Sequence, residues 1–384
     1  MANNLLIVHG GGPSAVINCS LYGVIKQAKR EEGIDNIYAA NGGMSAIFRE
    51  DFIDLREISE DDLDNLLQTP GSAIGTSRDP MEKEDYEKLL PIFKKHEIKY
   101  VLLNGGNGTM DTCGKIYQEC AAAGIMVMGI PKTMDNDLAV IDHSPGFASA
   151  ARYMAESVKE VAFDVKGLAI HVVVIEALGR NAGWITAASA YARQENGDGP
   201  DMILLPEVPF EEEEFLAKVK ALYDQKKGVV VVASEGLRYA DGTPITPPIF
   251  QTGRSVYFGD VSAHLATLIT KKLGIKARSE KPGLLGRASM KLRSQIDIEE
   301  AIRVGEEAVK AAVSGETGKM VGIRRLADQP YQAEIFLVPI DQVMMAEKKM
   351  PADYYTKYDV TPAFLEWLSP LMGGELPRMV SFRK

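Results

Sequence analysis

The sequence predicts an α/β protein built from two doubly wound, parallel-sheet domains of Rossmann-like type. Short apolar runs alternate with helical stretches of ten to sixteen residues along most of the chain, the rhythm of a parallel sheet with helices on its faces. A strand, a glycine loop and a helix follow one another twice in the first third, and such loops let the backbone approach an anion at a helix start. Finally, 384 residues exceed an ordinary single domain and leave two domains a sizeable core each.

In order, 5–8 is an apolar strand, His9-Gly-Gly-Gly-Pro-Ser14 a glycine turn, and 15–29 a helix. A second strand is expected at 36–40, a helix start at Ser59, and a small-residue loop at 71–78 closing on Arg78, which suits a phosphate contact. After a helix at 81–96, the strand at 100–103 runs into the second glycine loop, 104–109, and a helix to 123. The apolar run 125–128 then leads to Gly129-Ile-Pro-Lys-Thr-Met-Asp-Asn-Asp137, around which the rest is organised. A cation, a hydroxyl and two carboxylates within six residues, at the carboxyl end of a strand, suit phosphoryl transfer.

Further on, 146–162 carries a helical core stripe, 172–175, 202–205 and 229–233 are buried strands, and 179–183 opens a helix. The acidic run 211–214 complements a helix dipole. Residues 244–248 form a loop, helices are expected at 260–272 and 297–313, and the segment between them is irregular. It holds Arg278, Arg287 and Arg293, either solvated charge or a phosphate-binding cluster. The aromatic-rich tail, 341–384, reads as a C-terminal appendage.

Composition narrows the function. With 46% hydrophobic and 25% charged residues the chain is of soluble, globular type. No apolar run approaches the roughly 20 residues of a membrane span, and the N-terminus lacks a secretion signal, so a cytoplasmic protein is expected. A net charge of −10 argues against nucleic acid while allowing a local basic pocket. Cys19, Cys113 and Cys120 all fall in expected helices and read as packed thiols.

The glycine turn at 10–12, Gly75-Thr-Ser-Arg78, Gly105-Gly-Asn-Gly-Thr109, Pro131-Lys-Thr-Met-Asp-Asn-Asp137, Glu176-Ala-Leu-Gly-Arg180 and Pro206-Glu-Val occur in order. Together they resemble the 6-phosphofructokinases of bacterial type, a family with ATP-dependent and pyrophosphate-dependent members. The resemblance spans nearly the whole chain and is closer overall to the pyrophosphate clade. It implies an active site in a cleft between a donor domain, 1–145 plus about 286–340, and a sugar-phosphate domain, about 146–285.

By the same resemblance the chain transfers a phosphoryl group to the 1-hydroxyl of fructose 6-phosphate, with Mg²⁺. Asp135 is the general base, Asp137 supports the metal together with Asn107, and Lys132 and Arg180 assist. The donor meets Gly12, Arg78, Gly106, Asn107, Gly108 and Thr109. The sugar phosphate meets Thr133, Asp135, Leu178, Gly179, Arg180, Glu235, Arg278 and Arg287. Because the residue matching Arg278 usually reaches in from a neighbouring subunit, a homodimer or homotetramer is expected.

Some positions depart from the family. Asn107 stands where ATP users carry a metal-binding aspartate; its carbonyl oxygen still coordinates, more weakly. Gly108 resembles ATP users and Lys132 pyrophosphate users. Weighing Gly108 most, the expected donor is ATP, with pyrophosphate as the alternative. His171 replaces a usual phosphate-binding arginine, and Leu284 a histidine or tyrosine, which weakens the usual phosphate pocket and leaves the acceptor open; Asn107 and His171 also leave open a catalytically silent sugar-phosphate sensor.

Overall fold

The computed structural model describes residues 2–195, 198–252 and 255–382. It divides into two compact units, Met1–Ser149 with Arg287–Lys348, and Ala150–Gly286 with Lys349–Lys384. The tail read as an appendage is therefore shared out: up to Lys348 it belongs to the first unit, and from Lys349 to the second.

The chain runs β1 Asn4–His9, α1 Ile17–Ala28, β2 Ile37–Ala40, α2 Ser45–Phe48, β3 Phe52–Asp54, α3 Glu60–Leu66, α4 Lys83–Lys95, β4 Ile98–Gly105, α5 Asn107–Cys120 and β5 Met126–Pro131. There follow α6 Phe147–Gly167, β6 Val172–Ala177, α7 Trp184–Ala188, β7 Met202–Leu204, α8 Glu212–Lys226, β8 Val229–Ser234, β9 Pro248–Thr252, β10 Ser255–Phe258, α9 Val261–Leu273, β11 Ala277–Glu280 and α10 Leu285–Ala288. The last elements are α11 Gln295–Val313, β12 Lys319–Asp328, β13 Tyr331–Pro339 and α12 Pro362–Leu368. No helix among the described residues is long and apolar enough to cross a membrane.

The first unit holds a seven-stranded sheet in the order β13-β12-β5-β4-β1-β2-β3. Its inner neighbours run parallel, while β13 and β3 close the edges antiparallel. Successive residues of one strand serve opposite faces: Leu5 and Ile7 pack with α1 and α11, whereas Leu6 and Val8 pack with α4 and α5. With both faces covered, such strands are continuously apolar, which is why they read so clearly. The hairpin β12–β13, at the sheet's edge, does not follow from that pattern, because β12 beyond Ile323 alternates between half-buried and exposed and β13 is mostly half-buried.

The second unit holds a four-stranded parallel sheet, β11-β6-β8-β7, and the antiparallel pair β9–β10. Both main sheets are parallel at their centres, as expected, with the antiparallel pieces additional. Cys19 lies in α1 and Cys113 and Cys120 in α5, all buried as free thiols. Burial pushes them up to about 12, about 12 and about 11.

Candidate active site

In the first unit the strand order reverses between β1 and β4, and the carboxyl ends at such a switch point form the crevice where open α/β sheets bind ligands. The turn after β1 is pinned from both sides. Gly10 N–H donates to the Asn104 carbonyl at 2.9 Å, Gly11 N–H to that of Ser77 at 2.8 Å, and the Thr76 hydroxyl to the Gly11 carbonyl at 2.7 Å. Gly11 has φ +76°, a left-handed conformation that favours glycine. At Gly12 a β-carbon would collide with the Arg287 guanidinium and sit 3.4 Å from that of Arg78. A bare backbone is what lets two guanidiniums approach it.

Lys132 brings a third cation there, donating to the Gly12 carbonyl at 2.5 Å. Burial pulls its ammonium down to about 8, against the upward pull of Asp135 and with the repulsion of Arg78 and Arg287. Beneath it, buried His9 faces the Ser72 hydroxyl at 2.7 Å. That hydroxyl spends its proton on the Gly75 carbonyl, so His9 donates from Nδ1. Burial and the charge of Lys132 hold the imidazole down to about 3, hence neutral.

The loop after β4 turns directly into α5, earlier than expected, with Asn107 as its first residue. Thr109 and Met110 N–H groups return to the Gly106 carbonyl at 2.9 and 3.0 Å, and the N–H groups of the first turn carry the helix's positive end. Gly108 is exposed, and a β-carbon built there meets nothing within 4 Å. The fold does not require a glycine at this place.

Beyond β5, Lys132 N–H bonds the Gly105 carbonyl at 3.0 Å and the Thr133 hydroxyl accepts from Asp135 N–H at 3.1 Å. Asn136 is fully buried with φ +55°, while its neighbours Asp135 and Asp137 line the pocket. Asn107 Nδ2 donates to the Asp137 carbonyl at 3.3 Å. Its Oδ1 and the Asp137 Oδ1 are buried with no hydrogen-bond partner among the described residues. Two such orphaned oxygens fit a hard divalent cation. Mg²⁺ takes few protein ligands and completes its shell with water and phosphate oxygens; no group of three or more His, Cys, Asp or Glu poised to hold a metal exists among the described residues.

The result is a pocket of about 470 Å³. Gly12, Arg78, Gly106, Asn107, Gly108, Thr109, Lys132, Thr133, Asp135, Asp137 and Arg287 all line it, every one from the first unit. Arg287 and Thr133, expected beside the sugar phosphate, thus line the pocket of the donor residues.

The second unit gathers the remaining candidates by the same rule, since its strand order reverses between β6 and β8. Gly179, at φ +116°, donates its N–H to Glu235 Oε1 at 3.3 Å. The Ser234 hydroxyl donates to the Gly179 carbonyl at 2.8 Å and accepts from Gly236 N–H at 3.0 Å. Burial raises the Glu235 carboxyl above its ordinary value, opposed by that hydrogen bond and by Arg180. Leu178 is half-buried, and Arg180 is exposed with its guanidinium 5.5 Å over the Phe258 ring. Arg278 is exposed on β11, at the sheet's edge, rather than on an irregular segment. His171 is buried, and burial with the charges of Arg278 and Lys276 holds it below the ordinary imidazole range. A neutral ring is a poor substitute for a phosphate-binding arginine. Leu284 is 66% exposed. Arg293 is committed elsewhere, donating to the Leu67 and Met290 carbonyls at 2.7 and 3.2 Å.

Comparison with known proteins decides what the chain is. The family model described as Phosphofructokinase matches residues 4–312. The chain belongs to the phosphofructokinase family. It is a phosphotransferase acting on a hydroxyl. The chain is 38% identical to the pyrophosphate–fructose 6-phosphate 1-phosphotransferase of Xanthomonas campestris pv. campestris, over 97% of this chain and 92% of that protein. It is 31% identical to a sulfofructose kinase of Alkalicoccus urumqiensis, covering 95% and 94%. The crystal structure of the pyrophosphate-dependent phosphofructokinase from Marinobacter aquaeolei superimposes with a TM-score of 0.89 at 35% identity, covering 99% of this chain and 94% of that one. Two of these three names specify pyrophosphate, the alternative donor, and none specifies the ATP expected from Gly108.

Three residues of the pocket's framework escaped the sequence reading. His9 directly precedes the glycine turn, and adjacency was its one signal. Asp79 follows Arg78 and accepts from Ser45 N–H at 2.8 Å and the Ser77 hydroxyl at 2.6 Å, holding the Arg78 loop. Lys348 bonds Asn136 from 212 positions away, and no local pattern announces it.

Proposed function

We propose that the chain transfers a phosphoryl group from pyrophosphate to the 1-hydroxyl of fructose 6-phosphate. The observation that carries the donor is the cluster of Lys132, Arg78 and Arg287 around Gly12, in a pocket with no aromatic side chain in its lining among the described residues. Pyrophosphate is compact and highly charged and needs cations; adenine would gain most from an aromatic face to stack on, which this lining lacks among the described residues.

Asp135 takes the proton of the sugar's 1-hydroxyl as the new O–P bond forms. The bridging P–O bond of pyrophosphate breaks, and the departing phosphate keeps the electron pair beside Lys132 and the two arginines, which offset its charge. Gly106, Asn107, Gly108 and Thr109 offer the first turn of α5 to the donor. Asn107 and Asp137 would hold Mg²⁺, which would supply positive charge to offset that of the phosphate oxygens. Leu178, Gly179, Arg180, Glu235 and Arg278 are the proposed sugar-phosphate residues. We place the enzyme in the cytoplasm as a homodimer or homotetramer, which the exposure of Arg278 on an edge strand suits.

One observation favours ATP instead, the open space at Gly108. Steady-state assays with each donor separate the readings. Turnover with pyrophosphate, at a kcat/KM at least about 100-fold above that with ATP, is expected; the reverse preference overturns the assignment. Because His171 and Leu284 weaken the usual phosphate grip, the same assay with a panel of 6-substituted ketoses tests the acceptor, with fructose 6-phosphate expected to lead.

A further inference from the structure

The pair of carboxylates in the donor pocket depends on a turn that is held from outside it. Asn136 has φ +55° and is fully buried, with Asp135 and Asp137 lining the pocket on either side. One left-handed residue between them is what sends the central side chain inward and both neighbours to the pocket. Asparagine tolerates this conformation better than most residues but does not choose it unaided.

The segment after β13 supplies the grip. Glu347 forms an antiparallel bridge with Leu138, and Lys348 N–H donates to the Asp137 carbonyl at 2.8 Å. Lys348 is half-buried, its ammonium enclosed. It donates to Asn136 Oδ1 at 3.2 Å and to the carbonyls of Ile141 and Asp142 at 3.1 and 2.7 Å. Three N–H bonds meet three oxygens, two of them on backbone that no substitution can remove. The Asp137 carbonyl also accepts from Asn107 Nδ2, so one chain of contacts runs from Lys348 through Asp137 to the second oxygen ligand proposed for Mg²⁺.

The base of the loop does not need this lysine. Asp142 is tied to His143 at 2.7 Å and to Arg325 at 3.1 Å, His143 to Glu300 at 2.6 Å, and Asp142 N–H to the Ile323 carbonyl at 3.0 Å. What Lys348 adds, beside the Ser144 N–H that also donates to Asn136 Oδ1 at 3.0 Å, is a charged hold on the stretch that bears the two acids. We propose that Lys348 is a positioning residue for phosphoryl transfer, holding Asn136 and the Asp137 carbonyl so that Asp135 and Asp137 face the donor together. This rests on the reading that the pocket carries out that transfer.

In the full-length protein, Lys348→Met is expected to lower kcat about 10- to 100-fold, the usual cost of losing an outer support of a metal ligand. The KM for fructose 6-phosphate should stay within about threefold, because no sugar contact is touched. Half-saturation by Mn²⁺ in the presence of pyrophosphate, followed by electron paramagnetic resonance, should need about tenfold more metal. Asn136→Gly keeps the left-handed backbone but removes the carboxamide oxygen that the Lys348 ammonium and the Ser144 N–H share, and should lose kcat in the same sense. The double variant should be no worse than the poorer single one. A folded Lys348→Met with kcat and Mn²⁺ response within twofold of the parent overturns the proposal. If that variant does not fold, Asn136→Gly decides on the same criterion. A parent inactive with both donors sinks the proposed function instead, and the Mn²⁺ titration then decides the role of Lys348 alone.

Discussion

The two sheets solve the same problem to different degrees. Each presents acids beyond the carboxyl ends of its central strands, Asp135 and Asp137 after β5 and Glu235 after β8. In the first unit the acids sit among three cations, on a turn gripped by Lys348 and anchored by the His143 network. In the second, Glu235 accepts, among the described residues, one N–H, from Gly179, and the neighbouring Arg180 and Arg278 are exposed. Charge set in place around buried Lys132 is what a transition state with developing charge requires. Arg78 is exposed like Arg180 and Arg278, so what separates the units is the buried lysine and the gripped turn. The difference supports the proposed division of roles, chemistry in the first unit and acceptor binding in the second.

The largest effect that could break this division comes from one substitution in each unit. Asp135→Asn is expected to lower kcat by about 10²- to 10⁴-fold, the range for a lost general base, with the KM for the sugar phosphate nearly unchanged. Glu235→Gln should act mainly on KM, raising it about tenfold, the scale of one lost charge-assisted hydrogen bond. Steady-state kinetics over both substrates check the pair. If Asp135→Asn retains kcat within threefold, the assigned base is wrong and the comparison fails with it.

How far such roles could be read beforehand depended on burial. Strands β1, β4, β6 and β8 are covered on both faces and announce themselves as unbroken apolar runs. The glycine loops were legible because a turn after an apolar strand and before a helix has few other uses. Arg278 was taken for an irregular segment because Ala277–Glu280 forms an edge strand, half-buried to exposed, without apolar signature. Arg287 was placed with the sugar by resemblance. Its position beside Gly12 follows from long-range packing of a four-residue helix, which no local pattern encodes. Lys348 was silent for the same reason: a lysine near an exposed methionine reads as surface until its three acceptors are seen.

A second test concerns the anchoring network rather than the chemistry. Burial works against the His143 imidazolium, but Glu300 and Asp142 outweigh it and raise the group to about 9. A folded value above the unfolded 6.5 means that the contribution is complete below about pH 6.5 and is lost as pH rises through about 9. At 1.36 kcal/mol per unit that is about 3 kcal/mol, with Glu300 counted in the same pair. Denaturant unfolding should therefore show the stability difference between parent and His143→Gln shrinking as pH rises from 7 to 10; taking the difference cancels the opposite slope of Lys132, whose ammonium is held down to about 8. His171 in the second unit is held neutral, so hydrogen exchange should loosen β5 over this range and leave β6 unchanged; equal loosening of both would mean the network is not what separates the units.

The smallest effect bears on why the donor pocket is open at all. Gly108 lies in the first turn of α5 at an ordinary helical φ, and a methyl there would touch nothing. Gly108→Ala should therefore raise stability by about 0.5–1 kcal/mol through lower chain entropy in the unfolded state, seen as a small rise in Tm. A fold that forgoes this gain leaves the space to a ligand. If the ligand is pyrophosphate, held by Lys132, Arg78 and Arg287 near Gly12, the methyl should leave its kcat/KM within about threefold, and any residual use of ATP should fall further, since a nucleotide must extend beyond the two phosphates. Equal loss with both donors would instead place the pyrophosphate itself against Gly108, making the first turn of α5, rather than the three cations, the principal donor contact.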